Sequence, residues 1–176
     1  PEQGDGDNTS PYPDEDGNGH PDYIDELGIA ANYAYNFITD LDPDYKDKAL
    51  LIISDCDATD DCENLDVGGS PLYDIYVLDL DEGEYGVNEP SDGNIEGGSF
   101  IKIDNGFTEK DDDGKPLYYT TGLDAMKVTI AHELFHAIQR SYRDYVNSDG
   151  YGYFYEMSSS WIEDIIYPNI DDYIAW

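Results

Sequence analysis

From Leu123 to about Tyr145, apolar side chains recur at three- and four-residue steps: Leu123, Met126, Ile130, Leu134 and Ile138. That spacing lines one face of an α-helix. A second helix is predicted over "YIDELGIAANYAYNFITDL", where Leu27, Ala31, Ala34, Phe37 and Ile38 keep the same period and Asp25 is placed to cap the start. After the break in "VNSDGYG", a third runs from about Tyr155 through "EMSSSWIEDII" and stops before Pro168. "KALLIISD" reads as a buried strand, "SPLYDIYVLDLDEGEYG" as a second strand ending in an acidic turn, and "GGSFIKIDNGF" as a third. The expected fold class is α+β, a small mixed sheet packed on the long helix with the last helix alongside. Residues 1–25, rich in Gly, Pro and Asp, read as an N-terminal loop segment, and residues 26–176 as one globular domain.

Composition sharpens this picture. Asp and Glu number 41 against 8 Lys and Arg, a formal charge of -33. Nucleic acid and anionic membranes would be repelled, and the compact state would repel itself unless cations neutralise it. Yet 39% of residues are hydrophobic and 17 are Tyr, so the chain has the material for a packed core. No stretch approaches a membrane-spanning length, so membrane insertion is not expected. Cys56 and Cys62 flank "DATDD" and are expected to close a small disulfide ring, which points to an oxidising, secreted setting. The opening "PEQGDGDN", without Met, looks like a processed or excised end.

Carboxylates are also unevenly placed. Counting Asp14 as position one, Asp14, Asp16, Asn18, Gly19, Asp22 and Asp25 stand at positions 1, 3, 5, 6, 9 and 12 of an EF-hand-like loop, with the His20 carbonyl free for position 7. A tight loop aims alternate side chains inward, and Gly19 permits the bend, so a calcium ion is expected here. Asp25 replaces the longer Glu and Pro21 the usual apolar residue, which argues against a paired EF-hand. "KDDDGKPLYY" has incomplete ligand spacing and reads as a solvated turn around Asp111, Asp112 and Asp113.

Within the long helix, His132 and His136 of "HELFH" stand at i and i+4, so both imidazoles leave one face and can reach one ion. Glu133 points about a quarter turn away, beside the ion, where its carboxylate can take a proton from an activated water. Glu156, 20 residues after His136 and on the next helix, can supply a third ligand if the two helices pack antiparallel. Two histidines and a carboxylate suit zinc, with a fourth position left open for catalysis.

At this point the chain resembles a known superfamily. "HELFH" followed by Glu156 resembles the gluzincin metallopeptidases of thermolysin type. More closely, "GLDAMKVTIAHELFHAIQRSY" with "FYEMSSSWIEDIIYP" is similar to a family of secreted bacterial metalloproteases that pair "HEFFHAxQ" with "WxMExxAxWxED" and carry "DGNGxPDY" before both. The resemblance implies a zincin-like fold, His132, His136 and Glu156 as zinc ligands, Glu133 as general base, and a secreted endopeptidase acting on peptide or protein substrates. Thermolysin-type enzymes hold one histidine with an Asp four residues after the Glu ligand. Here that position is Ser160, and Glu163, one turn further, is expected to take the task.

Three further expectations complete the reading. "GGSFIKID" is a plausible edge strand for an extended peptide, and Tyr142, Tyr153 and Tyr155 are candidate donors to the transition state. Gluzincins usually continue into another helical subdomain, whereas this chain stops soon after the glutamate helix at "DDYIAW". The alternative reading is thus a catalytically inactive, calcium-stabilised extracellular binding subunit on the same scaffold, self-associating or holding an extracellular partner.

Overall fold

The computed structural model describes residues 12–41, 53–54, 72–81, 83–90, 98–142 and 152–172. The Cys56–Cys62 pair, residues 1–11 and most of "KALLIISD" lie outside them. The described elements are helix α1 (Asp22–Asp40), strands β1 (Ile53–Ser54), β2 (Ile75–Leu78), β3 (Gly86–Pro90) and β4 (Gly98–Asp104), and helices α2 (Gly122–Tyr142) and α3 (Gly152–Ile166). This is an α+β arrangement with a small mixed sheet.

Helix α2 is the centre of the molecule. Ala125, Met126, Val128, Ile130, Ala131, Leu134, Ala137 and Ile138 are all buried, too many for a single stripe. A helix apolar on most sides must be covered on most sides. Helix α1 packs on it, α3 packs on it, and β3 and β4 cover it from the sheet. Helix α1 turns Tyr23, Leu27, Ala30, Ala34 and Ile38 inward at a helical period. It starts directly after Pro21, without a side-chain cap. Asp25 is therefore not the cap expected of it. It lies inside the first turn with Asp22, where both carboxylates oppose the positive end of the helix dipole.

The sheet is built around β4. Strand β3 runs antiparallel to it from Gly86↔Ile103 to Pro90↔Ser99, while β1 and β2 run parallel to it, at Ile53↔Gly98 and from Ile75↔Ile101 to Leu78↔Asp104. Ser99, Ile101, Lys102 and Ile103 each pair with two strands, so both edges of β4 are occupied. This overturns the expectation that "GGSFIKID" is an edge strand. Its side chains agree: Gly98, Ser99, Ile101, Ile103 and Asp104 are buried, the near-continuous burial of a central strand. Strand β3, which the hydrophobic pattern did not announce, pairs only with β4 among the described residues.

Helix α3 begins at Gly152, three residues before its predicted start, and buries Ser159, Ile162, Glu163 and Ile166. It ends two residues before Pro168, which disfavours helical geometry in the residue preceding it. Among the described residues, no helix is long and apolar enough to cross a membrane.

Candidate metal centre

His132 and His136 leave α2 one turn apart, their ring centroids 4.5 Å from each other. Across from them, in the first half of α3, Glu156 presents one oxygen to both rings: Oε2 lies 3.3 Å from His132 Nε2 and 3.4 Å from His136 Nε2. The packing of α3 on α2 produces this meeting of residues far apart in sequence. Two ligands each about 2.0–2.1 Å from a tetrahedral zinc lie about 3.3–3.4 Å apart. The separations from Glu156 to the two nitrogens have that size. The three donor atoms also lie within 4.8 Å of one another.

The far nitrogens of both rings are committed. His132 Nδ1 meets Glu163 Oε1, and His136 Nδ1 meets Gln139 Oε1 at 2.8 Å and Ser159 Oγ at 3.0 Å. The Gln139 amide nitrogen donates to Ser158 Oγ at 2.7 Å, so its oxygen faces the ring and His136 Nδ1 carries the proton. A carboxylate opposite His132 Nδ1 asks the same of that ring. Both Nε2 atoms then face one oxygen of Glu156. Such a convergence of donors favours a positive charge among them, either a proton on His132 or a metal cation.

Electrostatics tell the same story. Burial alone would lower the His132 pKa, but hydrogen bonds to Glu156 and Glu163 and the charge of Glu133 outweigh it and hold it at about 10. Hydrogen bonds to His132 and then His136 hold Glu156 well below the usual carboxylate range. Burial raises Glu163. The field at this point favours positive charge, and the donor set of two imidazoles and a carboxylate fits a zinc-class ion.

Glu133 is only 6% exposed. Burial pushes its pKa up, the histidines beside it pull it down, and the Asn88 backbone N–H adds a smaller lowering pull. Strand β3 brings Asn88 there because Gly86 lets the strand press on α2: a Cβ at Gly86 would stand 2.8 Å from Thr129 Cγ2. Arg140, from the last turn of α2, locks the strand in place, donating from Nε to Asn88 Oδ1 at 2.9 Å and from Nη2 to the Asn88 carbonyl at 3.0 Å. A cavity of about 890 Å³ opens over the group, and His132, Glu133, His136, Glu156, Ser160 and Glu163 all reach its wall.

Of the tyrosines named as donors, Tyr155 lines this cavity, its ring stacked on His136 at 4.0 Å and its hydroxyl donated to the His136 carbonyl at 3.4 Å. Tyr153 is 72% exposed and not among the lining residues, and the Tyr142 side chain lies outside the described residues. Tyr85 and Tyr119 also line the cavity. Sequence reasoning missed Gln139, Ser159, Asn88 and Arg140. Gln139 was readable, since it follows His136 by three positions and so shares its helix face. The others become neighbours only through the fold.

In the N-terminal loop, Asp14, Asp16 and Asp22 each bring an oxygen within 4.8 Å of the others. Asp14 accepts from the backbone N–H groups of Gly17, Asn18 and Gly19. The Gly19 bond does most to lower its pKa. Asn18 donates its amide to Asp16 and Asp25, and the His20 N–H donates to Asn18 Oδ1 at 2.9 Å. Gly17 and Gly19 adopt the positive φ that the bend requires. The exposed turn at Asp111 is closed by its own backbone, with the Asp113 and Lys115 N–H groups on Asp111 Oδ1. No family model, curated protein or solved structure matches the chain.

Proposed function

We propose that the chain is a secreted, zinc-dependent endopeptidase with a zincin-like fold. The observation that carries this reading is the pair of distances, 3.3 and 3.4 Å, from one Glu156 oxygen to His132 Nε2 and His136 Nε2, beside a buried Glu133. Three protein donors are the complement of a catalytic rather than a structural zinc. When bound, zinc supplies Lewis acidity, lowering the pKa of a water and polarising a carbonyl oxygen.

The remaining work falls to the chain. Glu133, with its pKa raised by burial, accepts a proton on its carboxylate from the attacking water and returns it to the departing amine. Glu163 and Gln139 hold the two imidazoles with Nε2 toward Glu156. An extended peptide lies against β3, whose residues Gly86, Val87 and Asn88 line the cavity. The N-terminal loop holds calcium on Asp14, Asp16, Asn18, Asp22 and Asp25 with the His20 carbonyl, and so ties the loop to the first turn of α1.

The test is cleavage of a peptide library by the full chain, with and without chelator. Glu133→Gln is expected to abolish cleavage while zinc uptake is unchanged. Full cleavage by that variant removes Glu133 from the mechanism. One observation favours the second reading, a binding subunit without catalysis: the outward face of α3 exposes Phe154, Met157 and Trp161 together, an apolar surface suited to a partner or a second copy. No cleavage of any library member by the zinc-loaded chain would establish that reading over the first.

A further inference from the structure

One carboxylate on the cavity wall has no part in the chemistry proposed above. Glu133 is the base, Glu156 faces both histidines and Glu163 holds His132; the remaining acidic residue of the lining, Asp172, comes from the chain beyond α3. Asp172 is half-buried, and its Oδ1 accepts from Thr120 Oγ1. That bond ties it to the segment between β4 and α2, which also carries Tyr119. Tyr85 is fastened to the same segment, its hydroxyl accepting from the Tyr119 and Thr120 N–H groups at 2.7 and 3.2 Å. Asp172, Tyr85 and Tyr119 therefore belong to one stretch of the wall.

The surroundings of Asp172 match one kind of side chain. No Lys or Arg lines the cavity, and among the described residues none pairs with Asp172. The wall offers a carboxylate beside two tyrosines, of which Tyr119 is 67% exposed. A guanidinium or ammonium group gains from both, through a charge-assisted hydrogen bond to the carboxylate and through the negative face of a ring. Val87 and Val128, on the same cavity, suit the apolar stem that carries such a group. Asp172 also lies near the metal centre, for its charge acts on Glu163, whose carboxylate meets His132, and on Tyr85.

We infer that Asp172, with Tyr85 and Tyr119, forms a specificity subsite that selects peptides carrying an Arg or Lys side chain beside the bond to be cleaved. The cleavage rests on the peptidase reading, whereas the subsite itself is a matter of binding. An uncharged side chain of the same shape gains burial but no ion pair, and an acidic one meets a wall without a single cationic side chain. The net charge of -33 draws any cationic peptide toward the molecule, so the local pull of Asp172 has to be separated from that general field.

The experiment uses the zinc-loaded full chain and matched sets of fluorescent peptides with one fixed residue, Arg, its uncharged isostere citrulline, or Leu, in otherwise random sequence. Cleavage is read as kcat/KM and, separately, binding to the Glu133→Gln variant as anisotropy. The Arg set is expected to be cleaved and bound about tenfold better than the citrulline set. Asp172→Asn, which keeps an oxygen for Thr120, is expected to bring that ratio close to unity with cleavage of the citrulline set unchanged. Asp112→Asn removes one charge from an exposed turn and is expected to leave the ratio as it was. Equal handling of Arg and citrulline by the native chain, a preference for Leu, or a ratio that survives Asp172→Asn or falls as far in Asp112→Asn would overturn the inference. Tighter binding of the Arg set without cleavage of any set upholds the subsite and counts against the peptidase.

Discussion

Glu163 shows how much a single residue can depend on its place. In the sequence only its place one turn beyond Ser160 sets it apart from the other acidic residues. In the fold it is buried and its carboxylate meets His132 Nδ1, so it fixes which nitrogen of that ring faces Glu156. Partners of this kind set ligand orientation and basicity, and their loss weakens metal binding about 10–100-fold. Glu163→Gln keeps the shape but removes the charge. It is expected to lower zinc affinity by about tenfold or more, measured by competition with a chelating dye, with the helical circular dichroism unchanged. Unaltered affinity would show that Glu163 does not position His132. The neighbouring Ser160 lines the cavity, and among the described residues the carboxylate that meets His132 Nδ1 is that of Glu163.

Among elements, the contact of β3 with α2 sets the geometry of the cavity. Gly86 is the residue that permits it, because a Cβ there would press on Thr129 Cγ2 at 2.8 Å and on the Lys102 carbonyl at 3.0 Å. Backbone cannot yield as a flexible side chain can. Gly86→Ala is therefore expected to destabilise by about 1–3 kcal/mol in urea unfolding. Gly28→Ala, in α1 with open space around it, is expected to stabilise by about 0.5–1 kcal/mol. If Gly86→Ala is neutral, β3 does not press on the helix. Strand β3 was hard to foresee for the same reason that it works: "GVNEP" has one strong strand former, a glycine for close approach and a terminal proline. By contrast, α2 was plain, since Met126, Ile130, Leu134 and Ile138 recur at helical steps whatever surrounds them.

At the scale of the whole molecule, charge adds an unusual cost. A formal charge of -33 on 176 residues means that like charges repel across the folded surface. Screening with about 0.5 M NaCl shortens the reach of that repulsion to a few ångströms and is expected to raise the melting temperature of the calcium-free chain, followed by calorimetry. If the N-terminal loop takes calcium as proposed, the ion is expected to achieve the same at far lower concentration. A melting temperature that falls or stays level with salt would mean the acidic surface is already neutralised by its own contacts.

The sequence by itself determined the helices, the α+β class and the alignment of His132 with His136, because each depends on spacing along one chain segment. It also placed Asp14, Asp16 and Asn18 on alternate positions of one short loop. Only the tertiary structure decided that Glu156 faces both rings, that Glu163 rather than Ser160 holds His132, that β4 is enclosed, and that Asp172 joins Tyr85 and Tyr119 on the cavity wall. The reason is physical. Local periodicity follows from the backbone's own geometry, whereas the meeting of remote side chains depends on which faces the packed core forces together.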